Sequence, residues 1–222
     1  MTVWLASGNA HKKRELAAVL AACGLSSEVR IPADAGLRFG PDETEGSFHG
    51  NALLKARALR GLLLESRPDL FAEGDPVLAD DSGICVDALG GRPGVLSARY
   101  AGPPGGEAPR PLELGSGERN ALLLREMEGV RDRGARFVCA MALLLGGDRF
   151  LIAQETLEGE IVGGAESARG EGGFGYDPIF LVRGLGRTAA ELSEGEKNLV
   201  SHRGKAGRQI AEALAALQRR AP

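Results

Sequence analysis

The stretch Val3-Trp4-Leu5-Ala6-Ser7-Gly8-Asn9-Ala10-His11-Lys12 decides how the rest of the chain is read. Val3 to Ala6 is an apolar run of strand character, and Ser7-Gly8-Asn9 is a turn. Leu16, Val19, Leu20 and Cys23 then recur at helical spacing until Gly24 stops the helix. Glu28 to Ile31 reads as a second strand. Ser47 to about Glu65 reads as a long helix with an apolar stripe of Ala52, Ala56, Leu59 and Leu63, and with Asn51 and Lys55 together on one face. Pro76-Val77-Leu78-Ala79 is a short buried strand running into a turn at Asp80-Asp81-Ser82-Gly83. Gly102 to Gly117 is rich in Gly and Pro and reads as a long mobile loop. A helix over about Gly117 to Glu128 precedes two strands, Ala135 to Leu145 and Arg149 to Leu157, joined by a hairpin at Gly146-Gly147-Asp148. The chain closes in an amphipathic helix from about His202 to Arg219, with Ile210, Ala213, Leu214 and Leu217 inward. Early alternation of strands and helices, with a hairpin in the middle, points to a mixed sheet in an α/β or α+β protein.

Composition narrows the function. The 222 residues suit a single domain, or two lobes sharing one core, and a hydrophobic fraction of 43% fills it. With a net charge of −3 nothing argues for a broad nucleic-acid-binding face, so any phosphate site is a local basic cluster. Three cysteines in apolar surroundings, without CxxC spacing, read as core residues of a protein outside the oxidising compartments. Neither a signal peptide nor an apolar run of the ~20 residues a membrane span needs is visible, so a soluble cytoplasmic protein is expected.

Several short stretches carry chemistry. In Ser7-Gly8-Asn9-Ala10-His11-Lys12 a helix start offers backbone N–H groups to an anion, and Lys12 adds charge; the same residues also suit an ordinary helix cap. Asp80-Asp81 at the end of a buried strand suits a divalent cation, which takes one or two carboxylates plus phosphate and water, or else a turn that caps the strand. Asp42-Glu43-Thr44-Glu45 places further acid in a loop. Gly170 to Pro178 is a Gly-rich loop with two aromatics, in which Phe174 suits stacking on a base, or both aromatics pack into the core. Lys197, His202 and Arg203 cluster near the final helix, and Arg203 suits bidentate contact with a phosphate or a base carbonyl.

The order of these blocks resembles the inosine triphosphate pyrophosphatase family. LASGNAHKKREL, SFHGNALLKARAL, VLADDSGICVDALGGRPGVLSARYAG, ARFVCAMAL, GGFGYDPIF and RTAAELSEGEKNLVSHRGKA match it nearly end to end. The resemblance implies an elongated α/β protein with two lobes around a central mixed sheet flanked by helices, an active-site cleft between the lobes, and a homodimer. It implies Mg²⁺-dependent hydrolysis of ITP, dITP and XTP to the monophosphate and pyrophosphate. It makes Ser7, Gly8, Asn9, Ala10, His11 and Lys12 the phosphate-binding turn. Asp81 is then a metal ligand and candidate general base, with Asp80 as the alternative proton acceptor, Glu43 the candidate second metal ligand, and Ser82 a substrate contact. Phe174, Gly175, Tyr176 and Asp177 line the nucleotide site, and Lys197, His202 and Arg203 contact the nucleotide. Lys12 and Lys55 offset charge on the departing pyrophosphate. Two positions depart from the family's pattern: Gly50 stands where Glu is usual, and Glu45 where Gly is usual, leaving Asp42, Glu43 and Glu45 as candidates for the second ligand. A pyrophosphatase of other specificity, or a nucleotide-binding sensor with weak turnover, are the rival readings.

Overall fold

A computed structural model describes residues 2–72, 74–103, 114–146 and 148–219. In chain order the elements are β1 (Thr2–Leu5), α1 (Ala10–Ala22), β2 (Glu28–Arg30), α2 (Phe48–Ser66), β3 (Val77–Val86), α3 (Ser116–Glu126), β4 (Gly134–Leu144), β5 (Phe150–Ile161), β6 (Phe180–Val182), α4 (Glu194–Val200) and α5 (His202–Gln218). The strands form one six-stranded sheet in the order β2-β1-β3-β4-β5-β6. β1 is parallel to both β2 and β3, whereas β5 and β6 are antiparallel, so the sheet is mixed as the alternation of elements implied. Among the described residues no helix is long and apolar enough to cross a membrane.

The chain divides into two compact units: Met1–Asp81 with Cys139–Glu155 and His202–Pro222, and Ser82–Val138 with Thr156–Ser201. In the first unit β1 is buried on both faces, which is why it reads as a continuous apolar run. Val3, Leu5 and Leu78 join Leu16 and Leu20 of α1 and Ile210 and Leu214 of α5 in one core cluster. Trp4, Ala6, Val77 and Ala79 join Ala52, Ala56, Leu59 and Leu63 of α2 in another. Successive residues thus alternate between an α1/α5 face and an α2 face, with the period of two that a strand imposes. In the second unit Ile84, Val86, Leu123, Phe137, Leu157, Ile161 and Phe180 form one cluster.

The main correction concerns β3. The strand does not end in a turn at Asp80-Asp81-Ser82-Gly83 but runs through it to Val86. Gly83 is there for closeness: a Cβ would lie 2.4 Å from both the Gly94 carbonyl oxygen and Ser97 Oγ, and Ser97 Oγ in turn accepts the Ile84 N–H at 2.8 Å. In α5 the buried stripe is Arg203, Ala206, Gly207, Ile210, Ala211 and Leu214. Leu217 is exposed and Ala213 only half-buried, because the helix runs past the core it packs on. The hairpin between β4 and β5 closes with Leu145 N–H on the Arg149 carbonyl at 2.8 Å; Gly147 lies outside the described residues. So does most of the Gly102–Gly117 segment, residues 104–113.

Candidate active site

Strand alternation sends the two adjacent aspartates to opposite faces. Asp80 continues the face of Leu78 and meets α1 and α5. Its Oδ1 accepts Lys12 Nζ at 2.9 Å, and its Oδ2 accepts Arg203 Nε and Nη2 at 3.3 and 3.2 Å. Arg203 Nη1 also donates to Glu15 Oε2 at 2.8 Å. Burial alone would push the Asp80 carboxyl upward, but the charges of Lys12, Arg203 and Lys55 outweigh it and hold the group well below the usual carboxylate range. Asp80 is therefore a fixed anion that ties the first turn of α1 to the start of α5.

Asp81 continues the face of Ala79 and meets α2. Its Oδ1 accepts Lys55 Nζ at 3.2 Å and its Oδ2 accepts Asn51 Nδ2 at 3.1 Å. Asn51 and Lys55, one helical turn apart, reach the same carboxylate as their spacing required. Lys55 Nζ also donates to Glu43 Oε1 at 2.7 Å, so two carboxylates converge on one ammonium. Burial raises the Asp81 carboxyl; Lys55 opposes this, and the Glu43 charge adds to the rise. Lys55 stays charged despite its own burial because Asp81, Asp80 and Glu43 all face it. The two aspartates thus differ in kind: one is locked as an anion, the other holds its proton more readily and can exchange it.

The donor set fits a magnesium ion. Glu43 and Asp81 supply two carboxylates, and among the described residues no group of three or more His, Cys, Asp or Glu is placed to hold a metal ion by itself. Magnesium takes one or two protein carboxylates and fills its remaining positions with water and phosphate oxygens. Charge points the same way. Lys12, Lys55 and Arg203 face four carboxylates, Glu15, Glu43, Asp80 and Asp81, leaving an excess of one negative charge. An added cation would offset both this charge and that of a polyphosphate.

The Ser7–Lys12 turn is built by its own side chains. Ser7 Oγ accepts the Asn9 N–H at 3.1 Å, and Asn9, the N-cap of α1, accepts the His11 N–H at 2.8 Å. Gly8, Asn9, Ala10 and His11 are exposed, so the turn is open to an anion, although the His11 amide is already taken by the cap.

In the second unit, Asp177 organises the Gly-rich loop. Its Oδ2 accepts the Phe174 N–H at 2.7 Å and Lys197 Nζ at 2.6 Å. The Lys197 ammonium lies 5.3 Å from the Phe174 ring centroid. Gly173 has φ +72°, and a Cβ there would lie 2.1 Å from Asp177 Oδ2 and 2.8 Å from Lys197 Nζ, so only glycine fits. The two aromatics part company. Phe174 is 45% exposed, whereas Tyr176 is buried and donates its hydroxyl to the Ser97 carbonyl at 3.0 Å. Tyr176 is a core anchor, and Phe174 is exposed beside the Lys197 ammonium. Gly175 has φ +65° and its carbonyl accepts Asn120 Nδ2 at 3.1 Å. Ser82 is half-buried in β3, and His202, the first residue of α5, is buried.

The structure gathers Lys12, Arg203 and Asp80 in one cluster, Lys55, Glu43 and Asp81 in another, and Phe174, Asp177 and Lys197 in a third. Arg203, expected at a phosphate or a base, is engaged by Asp80 and Glu15. Glu45 is exposed, and its backbone N–H donates to Asn51 Oδ1 at 3.0 Å. Asn51 and Glu15 escaped the sequence reading as site residues. The helical spacing of Asn51 and Lys55 was a usable signal for the first; nothing local marks Glu15.

The model of the Ham1 family matches residues 3–213. A dITP/XTP pyrophosphatase of Treponema denticola is 45% identical over 206 residues, covering 93% of this chain and 94% of that protein. One from Geobacillus kaustophilus is 46% identical over 207 residues, covering 91% and 88%. The solved structure of a HAM1 protein from Coxiella burnetii superposes with a TM-score of 0.78 at 35% identity, covering 97% of this chain and 99% of that one. The resemblance drawn from the motifs holds along nearly the whole length, and the chain belongs to the Ham1 family.

Proposed function

We propose that this chain is a Mg²⁺-dependent pyrophosphohydrolase that converts dITP, XTP and ITP to the monophosphate and pyrophosphate. The observation that carries the reading is the convergence of Glu43 and Asp81 on the Lys55 ammonium, in a chain whose relatives are named dITP/XTP pyrophosphatases. Glu43 and Asp81 would hold the metal, which when bound neutralises phosphate charge and acidifies a coordinated water. Asp81, placed where the two carboxylates converge, accepts the proton of the attacking water. Lys55 stays charged through the cycle and offsets charge growing on the pyrophosphate, and Lys12, steered by Asp80, does so from the first turn of α1. The exposed Phe174 ring offers a stacking face for the base, and Lys197 beside it offers a donor to a 6-oxo acceptor. Adenine presents an amino donor at that position, so a donor built for an oxygen discriminates against it. A homodimer is the assembly the resemblance implies, to be checked by sedimentation.

Pyrophosphate release measured across dITP, XTP, ITP, dATP, ATP and GTP in Mg²⁺ tests the reading. High kcat/KM for the first three, and low values for the adenine nucleotides, are expected. Equal values for all six refute the specificity, and no release from any refutes the activity.

A further inference from the structure

Asn51 is completely buried near the N-terminal end of α2, and both ends of its amide are used by different segments. Oδ1 accepts the backbone N–H of Glu45, in the loop that carries Glu43; Nδ2 donates to Asp81 Oδ2 on β3. The bond to Oδ2 turns the other oxygen of Asp81, Oδ1, onto Lys55, where Glu43 Oε1 also arrives. The neighbouring residue shows how closely the loop sits on the helix. A Cβ at Gly50 would lie 2.9 Å from Glu45 Cβ and 2.9 Å from Ser47 Oγ, the side chain that caps α2. Contact with Glu45 Cβ is not the far end of a flexible side chain, so any larger residue at 50 must move the loop.

We infer that Asn51, seated beside Gly50, is a positioning residue for the metal: one amide clasps the Glu43–Glu45 loop to Asp81 and so fixes the separation of the two carboxylates. The inference rests on the proposed role of Glu43 and Asp81 as metal ligands. Groups that orient ligating carboxylates typically change metal affinity about 10–100-fold when removed. Gly50 is the second half of the device, because it gives the loop the space to reach Asn51. This assigns a use to the absence of a side chain at a position where the related pattern carries one.

The test is Mn²⁺ binding, read by loss of the free-ion electron paramagnetic resonance signal, on the full-length chain without nucleotide. Asn51→Leu, of similar volume, and Asn51→Ala, a better helix former, are compared with the unsubstituted protein. A Mn²⁺ dissociation constant raised tenfold or more in the folded variants is expected, with the Mg²⁺ concentration for half-maximal dITP turnover raised by the same factor. Wild-type Mn²⁺ affinity in either folded variant overturns the inference. Should neither fold, Gly50→Ala carries the test without touching Asn51. It favours the helix but displaces Glu45 and crowds Ser47 Oγ, so weaker Mn²⁺ binding with no gain in melting temperature is expected, and unchanged binding overturns the inference. Absence of dITP hydrolysis by the unsubstituted protein refutes the proposed activity instead, and leaves the Mn²⁺ comparison readable.

Discussion

Asp80→Asn and Asp81→Asn are the same chemical change at adjacent residues, and the structure gives them opposite consequences. Asp80 is 3% exposed and accepts three bonds from two cations. Its loss falls mainly on Arg203, whose side chain is 8% exposed and which keeps only Glu15 among these carboxylates; Lys12, at 19%, reaches water. Breaking a buried ion pair from one side costs about 3–5 kcal/mol. Because Glu15 remains and the Asn oxygen still accepts a bond, about 3 kcal/mol is expected, which for a chain of this length lowers Tm by about 6–12 °C. Asp81 differs because the folded chain disfavours its anion when no metal is bound. Asp81→Asn in EDTA should therefore melt at or above the unsubstituted temperature, yet lose about 10²–10⁴-fold in turnover as the general base disappears. Acidity separates the two further. The depressed carboxyl of Asp80 contributes stability that is present above the unfolded value of about 4 and is lost only below it, so the Asp80→Asn deficit stays constant from neutral pH to about pH 4 and then shrinks. The raised carboxyl of Asp81 works the other way: its contribution is fully present in acid and fades as pH rises, so any gain in Asp81→Asn is largest at neutral pH. Thermal melts in EDTA between pH 3.5 and 8, with pyrophosphate release at neutral pH, measure all of this. A melt of Asp80→Asn within about 2 °C of the parent, or an equal fall for Asp81→Asn, refutes the assignment of one anion to structure and the other to chemistry.

Phe174→Leu should leave Tm nearly unchanged, because the ring is exposed, and raise KM for dITP by about 5–150-fold, the equivalent of ~1–3 kcal/mol of base stacking. Lys197→Met should narrow the preference for dITP over dATP, read as a ratio of kcat/KM; an unchanged ratio removes Lys197 from base recognition. Gly159→Ala should destabilise the protein by about 1–3 kcal/mol in urea titration, since a Cβ there would lie 2.3 Å from the Leu181 carbonyl where β5 pairs with β6.

The opening strand–turn–helix and the α2 stripe were readable because their periodicity is local and strong. Ala52, Ala56, Leu59 and Leu63 are all fully buried, as their spacing required. β3 was misread past Ala79 because Asp, Asp, Ser and Gly are poor strand formers by composition. What overrides that preference comes from far along the chain: Lys12, Arg203, Lys55 and Asn51 satisfy the charges, and the close approach of Gly94 and Ser97 uses the bare backbone of Gly83. β6 is only three residues long and offers no period to detect. The short helix α4 did carry a signal. Ser193 Oγ accepts the Glu196 N–H and Glu196 accepts the Ser193 N–H, a reciprocal cap visible as Ser-x-x-Glu. That Tyr176 turns inward was not legible, because it depends on where the Ser97 carbonyl lies.

Two unlike acids placed back to back on one strand leave that strand with no freedom in length. Deleting or inserting a single residue anywhere from Val77 to Ala79 would exchange the tasks of Asp80 and Asp81, presenting the locked anion's partners to the wrong carboxylate. A frame change of two would restore the facing but shift both acids by about 7 Å along the sheet. Drift in this lineage should therefore accumulate as substitutions within β3 and as changes of length elsewhere, with the hairpin between Leu145 and Arg149 a natural place for them.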